Sequence, residues 1–330
     1  MNVIIPTAGL GTRLRPHTHT KPKPLVSVAG KAVLGHLMDK LQVLPIDDVV
    51  FITGYLGTQI EEYARANYNF KSHFVEQTEL RGQAHAIKLA RGLVSGPTMI
   101  LFVDTIFEAN LEVLNQTDAD GVIYVSQVDD PARFGVVLLE NGYITRLVEK
   151  PNVPVSNLAV IGAYYVRDVE KLFAAIDVLI ERNIQTKGEF YLADALQLMI
   201  DDGARFVAET ATVWEDCGTA PALLRTNRYL LEQNNSEVTP REGAIIVPPV
   251  FIGENVELSN SIIGPYVSVA DNSVIVDSIV RDSIINQGAT IHSATLEGSL
   301  IGDRAHVRGE FQRLNVGDSS DISFGGPRLQ

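Results

Sequence analysis

The last quarter of this 330-residue chain carries a short repeat that few folds accommodate. Ile252-Gly253-Glu254-Asn255-Val256-Glu257-Leu258 is echoed by Ile263-Gly264-Pro265-Tyr266-Val267-Ser268-Val269 and by Ile301-Gly302-Asp303-Arg304-Ala305-His306-Val307. Weaker copies run from Val269 to Ile275 and from Ile285 to Ile291. An aliphatic residue returning at a fixed phase is what a parallel β-helix needs, because each coil buries its aliphatics on the next. An antiparallel β-sandwich shares the strand-and-turn texture, but the three I-G-x-x-[V/A] copies favour the β-helix. The polar, turn-rich NNSEVTPREG upstream reads as a linker, which divides the chain into 1–235 and 236–330.

The first part has a different rhythm. Residues 2–5 are an apolar run ending at Pro6, a buried strand. Apolar residues from Ala32 to Leu44 recur at helical spacing until Pro45. DVVFIT (48–53) reads as a strand, Gly57 to Ala66 as a helix, His73 to Val75 as a strand, Gln83 to Arg91 as a helix and TMILFV (98–103) as a strand with Asp104 where it ends. Strands alternating with helices predict a Rossmann-like α/β domain with a mostly parallel sheet and helices on both faces. After Gly121 closely spaced strands follow, with Asn141-Gly142 as a hairpin signal. Helices are expected near 168–180, 190–200 and 221–233, so the sheet should be mixed.

Charge is unevenly spread. The net charge of −13 argues against general affinity for nucleic acid or acidic membranes. Yet residues 1–38 hold Arg13, Arg15, Lys21, Lys23 and Lys31 and no acid, leaving −18 on the remainder. An acidic protein with one positive loop is suited to holding a small anion. That loop, Gly9-Leu10-Gly11-Thr12-Arg13-Leu14-Arg15-Pro16, follows a strand and precedes a helix. Glycines let backbone N–H groups approach a phosphate, and arginine offers a planar donor fork. The third glycine of a dinucleotide fingerprint and the Gly-Lys-Ser/Thr ending of a P-loop are both missing. His17 and His19 read as bystanders, since no other histidine lies nearby in sequence.

AGLGTRLRPHTHTKPKPLVSVAGK resembles the signature of sugar-1-phosphate nucleotidyltransferases, G-x-G-T-R-L-x-P-x-T followed by K-P, most of all the long glucose-1-phosphate thymidylyltransferase group. ELRGQAHAI resembles the family's base-binding segment, VEKP its sugar-phosphate segment, and NSIIGPYVSV and LNVGDSSDI the tail of the long forms. The resemblance implies transfer of a nucleotidyl group from an NTP, dTTP before UTP, to a sugar 1-phosphate, glucose 1-phosphate first, with release of pyrophosphate, and a left-handed β-helix; uridylyl or guanylyl transfer stays open, because base choice rests on few contacts. It also implies roles. Gly9, Leu10, Gly11 and Thr12 would cradle the triphosphate. Arg13 would clamp the leaving pyrophosphate, and Lys23, stiffened by Pro22 and Pro24, would neutralise charge at the α-phosphate. Gln77 and Gly82 would contact the base. Gly135, Glu149, Lys150 and Val160 would line the sugar-phosphate pocket. Asp104 and Asp216 would hold Mg²⁺, which prefers carboxylate and phosphate oxygens. Val103 stands where the family usually has Gly, and Cys217 where Thr or Val is usual; Cys217 reads as packing. Trp214 reads equally well as a wall of the site or as core.

Two other classes compete. A β-helix acyltransferase would use His292 or His306 as base, but no acidic or Asn partner is obvious. A non-catalytic regulatory subunit is opposed by Arg13, Lys23, Asp104, Lys150 and Asp216 occurring together. The β-helix is expected to be structural, covering an edge or joining copies in a homo-oligomer. No run approaches the roughly 18 apolar residues of a membrane helix. The N-terminus lacks a signal peptide's basic region, and the single cysteine excludes an intramolecular disulfide framework and a Cys-based zinc site, so a cytoplasmic protein is expected.

Overall fold

The computed structural model describes residues 1–234 and 241–310. The expected boundary at 235/236 and the LNVGDSSDI segment lie outside the described residues.

The first part is built on a nine-stranded mixed sheet. Its elements, in chain order, are β1 (Asn2–Pro6), a short hairpin of β2 (Ser27–Val28) and β3 (Lys31–Ala32), α1 (Val33–Leu41), β4 (Asp48–Thr53), α2 (Gly57–Asn67), β5 (Lys71–Glu76), α3 (Gln83–Lys88), β6 (Thr98–Leu101), β7 (Thr105–Glu108), β8 (Gly121–Gln127), β9 (Gly135–Glu140), β10 (Tyr143–Glu149), β11 (Leu158–Val166), α4 (Val169–Glu181), α5 (Leu192–Asp201), β12 (Phe206–Thr210), β13 (Val213–Asp216) and α6 (Ala220–Gln233). The strand order is β10-β9-β11-β6-β1-β4-β5, with β8 beside β11 and β12 beside β8.

β1 sits between β4 and β6 and runs parallel to both, Val3 opposite Val49 and Asn2 opposite Thr98. The chain thus leaves the carboxyl end of β1 at a point where neighbouring connections run to opposite sides. Such a switch point opens a crevice for ligands in α/β sheets. Val3, Ile4 and Ile5 have no solvent exposure, so the strand that launches the basic loop is clamped on both faces.

The expected helices and strands are present, with differences at several of their ends; α3 stops at Lys88 rather than Arg91, where the amides of Leu89, Ala90 and Arg91 donate to carbonyls three residues earlier. α1 stops at Leu41 rather than Leu44; tighter bonds from the Gln42 and Leu44 amides to the Asp39 and Leu41 carbonyls close it, and Pro45 disfavours helical geometry in the residue before it. The strand expected over 98–103 leaves the sheet after Leu101. Phe102 donates its amide to the Gly162 carbonyl at 2.9 Å, where β11 shifts register between Val160 and Tyr164. Gly162 has φ +85°, and a Cβ there would lie 3.2 Å from the Phe102 side chain, so a bulge and a glycine together make room for the turn.

The second part is a solenoid of three parallel sheets, four strands each. One contains Ala244–Ile246, Ser261–Ile263, Ile279–Arg281 and Thr295–Glu297; the next Val250–Ile252, Val267–Val269, Ile284–Ile285 and Leu300–Ile301; the third Glu257–Ser259, Val274–Val276, Thr290–His292 and His306–Arg308. Ile263, Val267, Ile275, Val280, Ile285 and Ile291 fill its interior. This is the left-handed β-helix the repeat and the resemblance called for. It packs on α6 and on the basic loop. The fully buried Asn227 of α6 accepts from the Ala29 amide at 2.9 Å and from the Ser268 hydroxyl at 2.6 Å, and donates to the Tyr266 carbonyl at 3.2 Å. Among the described residues no helix is long and apolar enough to cross a membrane.

Candidate active site

The loop after β1 folds into three short 3₁₀ turns, Thr12–Leu14, His17–His19 and Lys23–Leu25. Gly11 is left-handed at φ +61°, and a Cβ on it would come within 3.0 Å of the Lys23 Cβ, so glycine is required both for the turn and for the approach of Lys23. The Thr18 hydroxyl donates to the Gly11 carbonyl at 2.8 Å, and Leu14 is buried beneath, which pins the loop on itself.

Asp104 and Asp216 converge through a two-stranded ladder that lies apart from the main sheet. β7 pairs with β13 antiparallel, setting Thr105 opposite Asp216 and Phe107 opposite Trp214. The Cys217 amide donates to the Asp104 carbonyl at 2.7 Å. Lys23 reaches Asp104, Nζ 3.2 Å from Oδ2. Arg13 and Asp216 both lie against Gly218: a Cβ there would be 2.7 Å from Asp216 Oδ1 and 3.0 Å from the Arg13 guanidinium. The Gly218 amide donates to Asp216 Oδ1 at 2.6 Å, fixing the carboxylate.

These four residues border a cleft with two lobes. One, of about 330 Å³, is lined by Gly9, Lys23, Gln77, Gly82 and Asp104. The other, of about 290 Å³, is lined by Arg13, Asp104, Gly135, Glu149, Lys150, Val160, Trp214 and Asp216. Asp104, Phe102 and Gln83 belong to both. Leu10, Gly11 and Thr12 line neither lobe; they shape the turn between Gly9 and Arg13, with Leu10 exposed at its tip.

In the first lobe Gln77 is buried and its amide lies 3.4 Å from the Gly82 carbonyl and 3.3 Å from His85 Nδ1. Gly82 has φ +110°, and a Cβ there would strike the Phe190 carbonyl oxygen at 2.5 Å. In the second lobe, burial pushes the Glu149 carboxyl up, against the pull of Lys150. Burial works against the charge on Lys150, but the Tyr191 hydroxyl, 3.1 Å from Nζ, and Glu149, 3.3 Å away, outweigh it and hold its pKa above the usual lysine value. A Cβ on Gly135 would lie 2.8 Å from Glu149 Oε2, so a glycine there admits the carboxylate. Trp214 walls this lobe against Phe134, rings 4.8 Å apart, with its buried indole nitrogen unpartnered among the described residues.

Sequence reasoning did not find Tyr191, Gln83 or Phe102. Tyr191 sits just before α5 in a stretch whose apolar pattern already accounts for it as core. Cys217 is packing, as expected: it is buried, and burial pushes its thiol up to about 12. His17 turns toward Gly302 of the β-helix, away from the carboxylates. His292 and His306 lie on adjacent strands of one β-helix sheet, and neither lines the cleft.

A family model described as "Nucleotidyl transferase" matches residues 2–233, the whole of the part that carries this cleft. The chain belongs to the nucleotidyl transferase family. Among similar proteins, the glucose-1-phosphate thymidylyltransferase of Streptomyces griseus is 30% identical over 356 aligned positions, covering 97% of this chain and 98% of the relative. The bifunctional protein GlmU of Methanocaldococcus jannaschii is 30% identical over 93% of this chain and 78% of its own. Among solved structures, a UDP-glucose pyrophosphorylase complexed with UDP-glucose superposes at TM-score 0.62 over 71% of this nucleotidyltransferase and 99% of that chain; at 21% identity the likeness is one of fold.

Proposed function

We propose that this nucleotidyltransferase transfers a thymidylyl group from dTTP to glucose 1-phosphate. The reading is supported by the near-full-length similarity to a glucose-1-phosphate thymidylyltransferase, together with one cleft where Arg13 and Lys23 face Asp104 and Asp216. A phosphate oxygen of the sugar 1-phosphate attacks the α-phosphorus; the bond from that phosphorus to the β-phosphate oxygen breaks, and pyrophosphate leaves with the electron pair. The chemistry asks for positioning and for cations where charge develops.

In this reading the backbone of Gly9 to Thr12 cradles the triphosphate, Arg13 holds the departing pyrophosphate, and Lys23 neutralises the α-phosphate and the incoming phosphate. Lys150, kept charged by Tyr191 and Glu149, binds the sugar phosphate, and Glu149 accepts hydroxyls of the sugar between Gly135 and Val160. Gln77, whose amide can both donate and accept, reads a pyrimidine edge beside Gly82. Uridylyl transfer is the nearest variant, because few contacts separate the two pyrimidines.

Asp104 and Asp216 suit Mg²⁺. Among the described residues no group of three or more His, Cys, Asp or Glu could hold a metal, and a pair of carboxylates leaves the remaining positions to phosphate oxygens and water, as a magnesium nucleotide requires. Bound there, the ion supplies Lewis acidity toward the phosphates. Residues 1–235 form the catalytic unit in this reading and 236–330 the β-helix. The outward Ile245 and Ile279, 62% and 43% exposed on one β-helix sheet, support contacts between copies in a homo-oligomer.

The test is pyrophosphate release with Mg²⁺, glucose 1-phosphate and each NTP in turn. Release with dTTP above the others is expected; no release with any NTP or sugar 1-phosphate would end the proposal.

A further inference from the structure

The loop that carries Lys23 is held at a second point by the β-helix. Lys21 Nζ lies 2.9 Å from Asp303 Oδ1 and 2.7 Å from Oδ2, a contact between residues 282 positions apart. His17 approaches Gly302 of the same β-helix turn, its Nδ1 3.6 Å from where a Cβ on that glycine would stand. His17, Thr20 and Lys21 on one side and Leu300 and Asp303 on the other border a cavity of about 500 Å³.

Only Pro22 separates Lys21 from Lys23, and Pro24 follows. Their rings fix φ near −65°, so fewer backbone rotations are left to absorb a shift at Lys21 before it reaches Lys23. On its other side Lys23 is packed against Gly11 and paired with Asp104. The ion pair itself has both side chains about a quarter exposed, and pairs this wet add little to global stability. Its effect is local: it fixes where a three-residue lever starts.

We propose that Asp303 is a positioning residue for nucleotidyl transfer. By holding Lys21 it sets Lys23 in place beside Asp104, so the β-helix completes the active site without touching substrate. The inference rests on the assignment of Lys23 to the α-phosphate made above. It differs from a role for Lys21 as a phosphate ligand, because in that case freeing Lys21 from Asp303 would leave or raise activity.

The experiment compares the full chain with Asp303→Asn, Asp303→Glu, Lys21→Ala, the Lys21→Ala/Asp303→Asn double variant, and Glu297→Gln, which removes an exposed ion pair with Arg281 on the same solenoid. Initial rates with dTTP and glucose 1-phosphate are measured alongside amide hydrogen exchange over residues 17–25. Asp303→Asn and Lys21→Ala are each expected to lower kcat about ten-fold or more, since small misplacements of catalytic groups are expensive, with KM changed less than about three-fold. The double variant should lose no more than either single change, Asp303→Glu should recover part of the rate, and Glu297→Gln should match the unmodified chain. Wild-type kcat in Asp303→Asn, or multiplicative losses in the double variant, would overturn the proposal. An unmodified chain without activity on any substrate would instead remove the functional reading. Exchange would then decide this one: acceleration over 17–25 in Asp303→Asn but not in Glu297→Gln supports the tether, and unchanged exchange refutes it.

Discussion

Lys23 and Asp104 lie 81 positions apart in the chain, yet the lysine Nζ sits 3.2 Å from a carboxylate oxygen of Asp104. Lys23 is mostly buried while Asp104 is 42% exposed, so the carboxylate faces the cleft and the lysine approaches it from the loop side. Asp104 borders both lobes, which puts this pair where two substrates would meet. Lys23→Ala should lower kcat at least about a hundred-fold, the scale expected when a preorganised cation is removed from developing phosphate charge. Steady-state pyrophosphate release measures it; a loss under three-fold would take Lys23 out of its role.

The pH dependence should trace Glu149. Burial raises its pKa and Lys150 only partly opposes this. The fold therefore favours the protonated form: the stability it contributes is fully present below the ordinary glutamate pKa and is lost as pH rises through the higher folded value. Sugar recognition runs the other way, because accepting hydroxyls needs the carboxylate. KM for glucose 1-phosphate should rise as pH falls toward the ordinary carboxylate range, with a midpoint above it. Glu149→Gln should flatten that limb. An unchanged limb in the variant would assign it to another group.

Gly82→Ala meets two obstacles at once, a φ of +110° and a Phe190 carbonyl 2.5 Å from the new Cβ. A loss of about 2 kcal/mol in denaturant unfolding is expected. Because Gly82 also lies against Gln77, KM for the nucleotide should rise more than KM for the sugar phosphate.

Asn227→Ala leaves the Ala29 amide, the Ser268 hydroxyl and the Tyr266 carbonyl without their buried partner. Unsatisfied buried polar groups make this costly, about 3 kcal/mol in chemical denaturation. A value below about 1 kcal/mol would mean that water takes the place of the amide.

Cys217 should be silent toward thiol reagents in the native state at pH 8. It is buried and burial drives its thiol to about 12, so almost no thiolate forms. Labelling should proceed only at the rate of unfolding; rapid native labelling would contradict its packing role.

Local pattern was enough for much of this protein. The 3.6-residue spacing of α1, the DVVFIT run of β4 and the Asn141-Gly142 turn each carry their own signal, because burial of one face requires that periodicity wherever the element ends up. The β-helix is equally readable, since every coil meets the same neighbour and so repeats the same residues. The basic loop announced an anion site through its glycines and cations. What no window of residues could disclose was the convergence. TIFE and VWED are too short to declare themselves as strands, and they pair only because the chain turns out of the sheet at Phe102, where Gly162 makes room. That pairing brings Asp216 beside Asp104, and the packing of α6 brings the β-helix to Lys21. Contacts between residues some hundred or more positions apart depend on how whole layers stack, and periodicity within one element holds no record of that.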